Sequence, residues 1–114
     1  MSHCVFCKIV AGKTPAAIVY DDDQVLAFRD IQPEAPIHII IIPKRHIATL
    51  NDLTSADAEL IGRMHLAARQ VALDLGVAES GYRTLINCNR DAGQYIFHVH
   101  MHLLAGRNLG WPPG

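Results

Sequence analysis

FHVHMHLLAG, residues 97–106, sets His98, His100 and His102 on alternate positions with one apolar residue between each pair. Side chains of an extended chain alternate faces, so the three imidazoles are expected to project together while Val99, Met101 and Leu103 turn the other way. Phe97 to Leu104 is therefore predicted to be a strand with one face for the core and one for chemistry. A solvated strand face has no need of imidazoles, whereas neutral histidine near pH 7 serves as nucleophile, base or metal ligand. Two chemistries fit the trio: one ion shared by all three, or one covalent nucleophile supported by its neighbours.

Upstream, Ala17 to Tyr20 and Gln24 to Arg29 are β-rich runs around the acidic turn Asp21-Asp22-Asp23, which reads as a hairpin. The prolines of Asp30-Ile-Gln-Pro-Glu-Ala-Pro36 forbid regular helix, and the apolar run from His38 to Ile42 suits a central strand covered on both faces. Thr54 with Asp57 resembles a capping box, and Leu60, Ile61, Met64, Ala68, Val71 and Leu75 form one stripe of a long helix that Gly76 ends. Arg83 to Cys88 reads as another strand, and Phe6 to Val10 as a short helix. These elements make an α+β domain with a mainly antiparallel sheet of about five strands, in an order the pattern does not decide.

The 114 residues suit a single domain, with no repeat, low-complexity tract or linker at which to divide it. A charged fraction of 18% and a net charge of -1 provide no field for nucleic acid or an anionic membrane. No apolar stretch approaches the roughly 20 residues of a membrane span, and a cytoplasmic chain acting on a small ligand is expected. Of three cysteines, Cys4 and Cys7 are spaced as CxxC, which in a reducing compartment suggests metal or redox work, while Cys88 reads as a small buried residue. Two cysteines are half of a tetrahedral zinc site; His46 and one histidine of the trio are candidates for the rest. If zinc takes His98, His100 and His102 remain free, which favours the nucleophile.

HVHMHLL fits the histidine-triad pattern, and the chain resembles the Hint branch of the histidine triad (HIT) nucleotide-binding family over nearly its whole length. The resemblance is carried by Phe6, LAFRDIQPEAPIH at 26–38, IIPKRH at 41–46, Asn87, AGQ at 92–94 and the terminal GRNLGWPPG. It implies one HIT domain over residues 1–114, a five-stranded sheet with one long and one short helix, and a homodimer whose two sheets join into one. The tail 105–114, with Trp111, would reach the partner subunit.

The implied activity is hydrolysis of purine nucleoside 5'-phosphoramidates, or of acyl-adenylates, through a nucleotidyl-histidine. By position His100 is the nucleophile, His102 and Gln94 donate to the phosphate together with amides near Gly93, and His38 orients the histidines. Asp30 would hold the ribose hydroxyls, Phe6, Phe28 and Ile31 would sandwich the purine, and Asn87 would approach phosphate or ribose. Family members with an N-terminal CxxC imply a structural zinc ion on Cys4, Cys7, His46 and His98. Tyr95 departs from the branch, which often has Ser or Thr there, and this bears on how the leaving group is met. The alternatives are a dinucleoside polyphosphate hydrolase or nucleotidyl transferase, and a nucleotide-binding regulatory module with incidental turnover. A redox role for Cys4 and Cys7 ranks below these.

Overall fold

The computed structural model describes residues 3–114. In chain order the regular elements are α1 (Val5–Val10), β1 (Ile18–Asp21), β2 (Val25–Arg29), β3 (Ile37–Pro43), α2 (Ala58–Asp74), β4 (Tyr82–Leu85) and β5 (Met101–Ala105). Single 3-10 turns occupy Leu50–Asp52, Ser55–Asp57 and Arg90–Ala92.

The five strands form one sheet in the order β1-β2-β3-β5-β4, every neighbouring pair antiparallel. Asp22 turns the first hairpin: its Oδ1 accepts from the amides of Gln24 and Val25, both at 2.8 Å. The chain then leaves β3 through α2, lays β4 one strand's width away, and returns β5 into the gap.

Alternation along the strands sorts the two faces. Val25, Ala27, Ile39, Ile41, Met101, Leu103 and Ala105 point to α2, where they bury Met64, Ala67, Ala68, Val71 and Ala72. Leu26, Phe28, Ile40 and Ile42 point to the opposite face and pack with Phe6 of α1. His38 and His102 share that second face by register, since Ile40 pairs with His102 and His38 with Leu104. One side of the sheet thus carries the larger core, and the other carries a smaller apolar cluster under α1 with room beside it for a site.

The α2 expectation holds in detail. Thr54 accepts from the Ala56 amide while Asp57 accepts from the Thr54 amide at 2.8 Å, a reciprocal cap that first winds a 3-10 turn and then the helix. That amide bond comes first among the effects that hold the Asp57 carboxyl below the usual carboxylate range, and Arg45 adds to it. The Arg45 side chain, 59% exposed, pairs with Asp57 across this cap. Gly76 ends α2 with φ of 74°, a left-handed conformation that glycine adopts without strain.

Two strands are shorter than the sequence predicts. β4 stops at Leu85, which leaves Asn87 and Cys88 in the following loop. The predicted strand from Phe97 begins only at Met101, because the register that pairs Ile41 with Met101 would next bring Val99 opposite Pro43. Proline has no N–H to continue the ladder. The Pro43 carbonyl accepts instead from the His98 ring, and the Val99 amide donates to Ile47 O at 2.7 Å. His98 therefore lies in a bend and His100 in the irregular chain before the strand, and only His102 is in it.

Candidate active site and metal cluster

A cleft of about 610 Å³ opens on the second face of the sheet. Its walls come from α1 and the loop after it, from the β2–β3 loop, and from the segment 93–96 with Asn87; His38, His100 and His102 line it at the centre.

The hydrogen bonds fix each imidazole's tautomer. His100 Nδ1 lies 2.7 Å from the carbonyl of His98, which can only accept, so Nδ1 carries the hydrogen. Its Nε2 is then a bare lone pair, with no partner among the described residues. No side-chain polar atom described is both buried and unpartnered, so this nitrogen faces the cleft. Burial, above all, lowers the His100 pKa from the ordinary imidazole value and keeps the lone pair free.

His102 receives the opposite assignment through a relay. The Glu34 amide donates to His38 Nδ1 at 3.0 Å, so His38 carries its hydrogen on Nε2. His38 Nε2–H donates to His102 Nδ1 at 2.8 Å, with Asp30 Oδ2 a second acceptor at 3.4 Å. His102 is left with its own hydrogen on Nε2. Burial, then the proximity of His100 and His38, brings its pKa down to about 4, so it is neutral at pH 7. Two imidazoles with ring centroids 5.0 Å apart thus differ in function: one offers a lone pair, the other an N–H.

Asp30, His38 and His102 also place one ligand atom each within 4.8 Å of one another, as a metal site would require. The Glu34 amide argues against an ion there. A metal on His38 Nε2 would force a hydrogen onto Nδ1, pointing it at another N–H.

Around this centre most of the predicted residues arrive together. Phe6, Phe28, Asp30, Ile31, Asn87, Gly93, His38, His100 and His102 all line the cleft. Phe6 and Phe28 meet edge to face at 5.6 Å and 65°, side by side in one wall, with Ile31 on the rim at 94% exposure. Two expectations are corrected. Gln94 is buried and does not line the cleft. Its Nε2 donates to the carbonyls of Ala48 and Ile96 and its Oε1 accepts from the Asn89 amide, so all its hydrogens brace the loop. The amides of Gly93 and Gln94 are bonded within the same turn, to Arg90 O and Asn89 O, and offer nothing to a phosphate. Trp111 lies 81% exposed away from this cleft, with the Arg83 guanidinium 5.9 Å from its ring centre. Tyr95 stands at the cleft mouth, 90% exposed.

The partners that set the tautomers, Glu34 N–H and the His98 carbonyl, are backbone groups with no signature in sequence. Thr14, Pro15 and Ala16, which complete the wall beside α1, gave no signal either.

Behind the cleft Cys4, Cys7, His46 and His98 converge, with their ligand atoms all within 4.8 Å. His98 Nε2–H donates to Pro43 O at 2.7 Å, so its bare Nδ1 faces the sulfurs, 3.3 Å from Cys4 Sγ and 3.6 Å from Cys7 Sγ. His46 Nδ1 is 3.4 Å from Cys7 Sγ. Zinc–sulfur and zinc–nitrogen bonds of about 2.3 and 2.1 Å at tetrahedral angles imply edges of roughly 3.6 Å. The donor set and its spacing fit a closed Cys2His2 site.

The HIT domain family model matches residues 11–109. A purine nucleoside phosphoramidase of Escherichia coli (strain K12) is 50% identical over 106 residues, 93% of this chain and 89% of that one. Among solved structures, a HIT family hydrolase from Legionella pneumophila Philadelphia 1 superposes with a TM-score of 0.96 at 49% identity, covering 98% of this chain and all of the other. A histidine triad protein from Clostridium difficile matches with a TM-score of 0.94 at 39% identity over 96% of each chain.

Proposed function

The chain belongs to the HIT domain family, and on that premise we propose that it is a purine nucleoside phosphoramidase, a hydrolase that cleaves nucleoside 5'-phosphoramidates through a nucleotidyl-histidine. The observation that carries the reading is the hydrogen bond from His100 Nδ1 to the His98 carbonyl, which leaves Nε2 bare toward the cleft. A fixed neutral imidazole attacks the α-phosphorus, and a P–N bond to His100 forms as the bond to the amine breaks and the amine leaves with a proton from solvent. Water then hydrolyses the labile intermediate, its oxygen going to phosphorus and a proton returning to solvent. His102 supplies an N–H where phosphoryl oxygens gather charge, and the His38 relay keeps that N–H on the correct nitrogen. Asp30 Oδ1 accepts from the Gln32 amide, which holds the carboxylate at the cleft edge where ribose hydroxyls can donate to it. Phe6 and Phe28 provide an apolar inner wall for a purine and Ile31 an outer rim.

Cys4, Cys7, His46 and His98 would hold a structural zinc ion, whose chemistry is a crosslink and not a reaction step. The working unit is a homodimer joined along the unpaired edge of β4, with the Trp111 tail crossing to the partner, in the reducing cytoplasm where thiolate ligands persist.

The test is intact-mass analysis of reactions with an adenosine 5'-phosphoramidate quenched early. An AMP adduct on His100 is expected, and His100→Ala should lose turnover by at least about a thousandfold while still binding AMP. An adduct on another side chain, or unmodified protein that binds AMP and never turns over, overturns the reading, the latter in favour of a binding module.

A further inference from the structure

α1 is a six-residue helix with a single buried side chain, Phe6. So short a helix does not hold itself together in water, and Phe6 with the partly buried Ile9 and Val10 is a small apolar anchor for the ordering of a whole turn and a half. Yet α1 supplies much of the cleft's apolar wall, through Val5, Phe6 and Ile9. Phe6 meets Phe28 edge-on at 5.6 Å and the His100 ring at 5.1 Å. What else fastens α1 is the sulfur–imidazole cluster. Cys4 caps the helix by accepting from the Cys7 amide, Cys7 is in its first turn, and their partners His46 and His98 belong to the body of the domain.

The nucleophile is fastened differently. The His98 carbonyl that selects the His100 tautomer is held by the next amide's bond to Ile47 O and by the bond of the His98 ring to Pro43 O. That ring shares the cluster through Nδ1, but both bonds are made within the body of the domain and neither needs α1. The cluster therefore has a divided relation to the site. It governs the wall on the base side and leaves the phosphate side to the backbone.

We propose that Cys4, Cys7, His46 and His98 act as positioning residues for base recognition: metal bound there docks α1 against the cleft, so that metal occupancy sets affinity for the nucleobase but not for the phosphate or the attacking nitrogen. The inference rests on the nucleotide reading above and goes beyond a crosslink that only raises stability. A role in stability alone would weaken every ligand together or none.

The experiment measures binding of AMP and of ribose 5-phosphate, which lacks the base, by calorimetry. It compares metal-loaded protein, the same protein after chelation, the chelated protein with Zn2+ restored, and the Cys7→Ala variant, with metal content determined for each. Chelation and Cys7→Ala should each raise the Kd for AMP about tenfold, the scale of one lost base–aromatic contact, and change that for ribose 5-phosphate by less than about twofold. Zn2+ should restore AMP affinity to the chelated protein and not to the variant. In turnover KM should rise while kcat at saturation stays within about twofold, because the His100 tautomer is set elsewhere. Unchanged AMP affinity in metal-free protein overturns the proposal, as does equal loss of both ligands, including loss through unfolding. If metal-loaded protein binds ribose 5-phosphate but shows no added affinity for AMP, the inference fails and the phosphate chemistry stands. If it binds neither, the nucleotide reading fails with it.

Discussion

His100 and His102 lie two residues apart, and their bonding partners give them opposite faces: Nδ1–H of His100 on a carbonyl, Nδ1 of His102 accepting from His38. The second assignment has a consequence in pH. Protonating His102 would put hydrogens on both its nitrogens and turn Nδ1 against the His38 N–H. Burial first, then His100 and His38, lowers its pKa to about 4, so the neutral form that the relay requires is present above that value and lost only below it. As pH falls from 7 to about 5, an ordinary imidazole of pKa about 6.5 would become mostly protonated, whereas His102 stays neutral. The His100 pKa is displaced in the same direction, so its lone pair too survives below the ordinary range. The profile of kcat/KM against pH is expected to run flat through about pH 6.5 and to turn down only in more acidic buffer. A midpoint at 6.5 in the free enzyme would show that neither ring is buried as described. Which nitrogen each ring presents was not legible in sequence, because the deciding groups are the Glu34 amide and the His98 carbonyl, whereas the three histidines themselves were plain.

At the scale of elements, what could be read is what side-chain pattern encodes. α2 carries its apolar period and its own start signal, and the structure returns both, with Thr54 and Asp57 bonded reciprocally. The same arrangement at Thr49 and Asp52 caps the preceding turn and could have been found by the same rule. β5 was misjudged because an alternating run looks the same whether or not a partner strand is beside it. Its start at Met101 follows from Pro43, which lies 55 residues before His98 in sequence yet opposite the oncoming chain in the sheet, which cannot donate and whose carbonyl holds His98. The cap gives the element's prediction. Thr54→Ala removes the hydroxyl that accepts from Ala56 N–H and contacts Asp57, far from the cleft. It should cost about 1 kcal/mol, or roughly 4 °C in Tm, and leave kcat/KM unchanged. Calorimetric melting beside the turnover assay reads both, and an unchanged Tm would mean the hydroxyl contributes nothing to the helix start.

For the molecule as a whole, the sheet class followed from strand content, but the order β1-β2-β3-β5-β4 did not, since the insertion of β5 between β3 and β4 leaves no local trace. That order has two results. It sets His102 of β5 beside His38 of β3, and it leaves β4 at the sheet's end with its outer edge unpaired. A bare edge is an invitation to pair, and beside it lie the exposed Trp111 ring and Arg83. A two-fold pairing of β4 with its copy would make both edges interior and send each tail toward the other subunit. The proposed homodimer can then be tested by complementation, because nucleophile and tail would come from different chains. His100→Ala keeps its tail but has no nucleophile, and a chain lacking residues 111–114 keeps His100 but has no tail to give. Each alone is expected to be impaired; mixed under conditions of subunit exchange, half the dimers are mixed, and in those the truncated chain's site receives the intact tail. About a quarter of all sites should then recover full activity. A mixture no more active than its impaired parts would place the tail's action within its own chain, and a solution mass equal to one chain would leave the edge of β4 without the partner that its pairing demands.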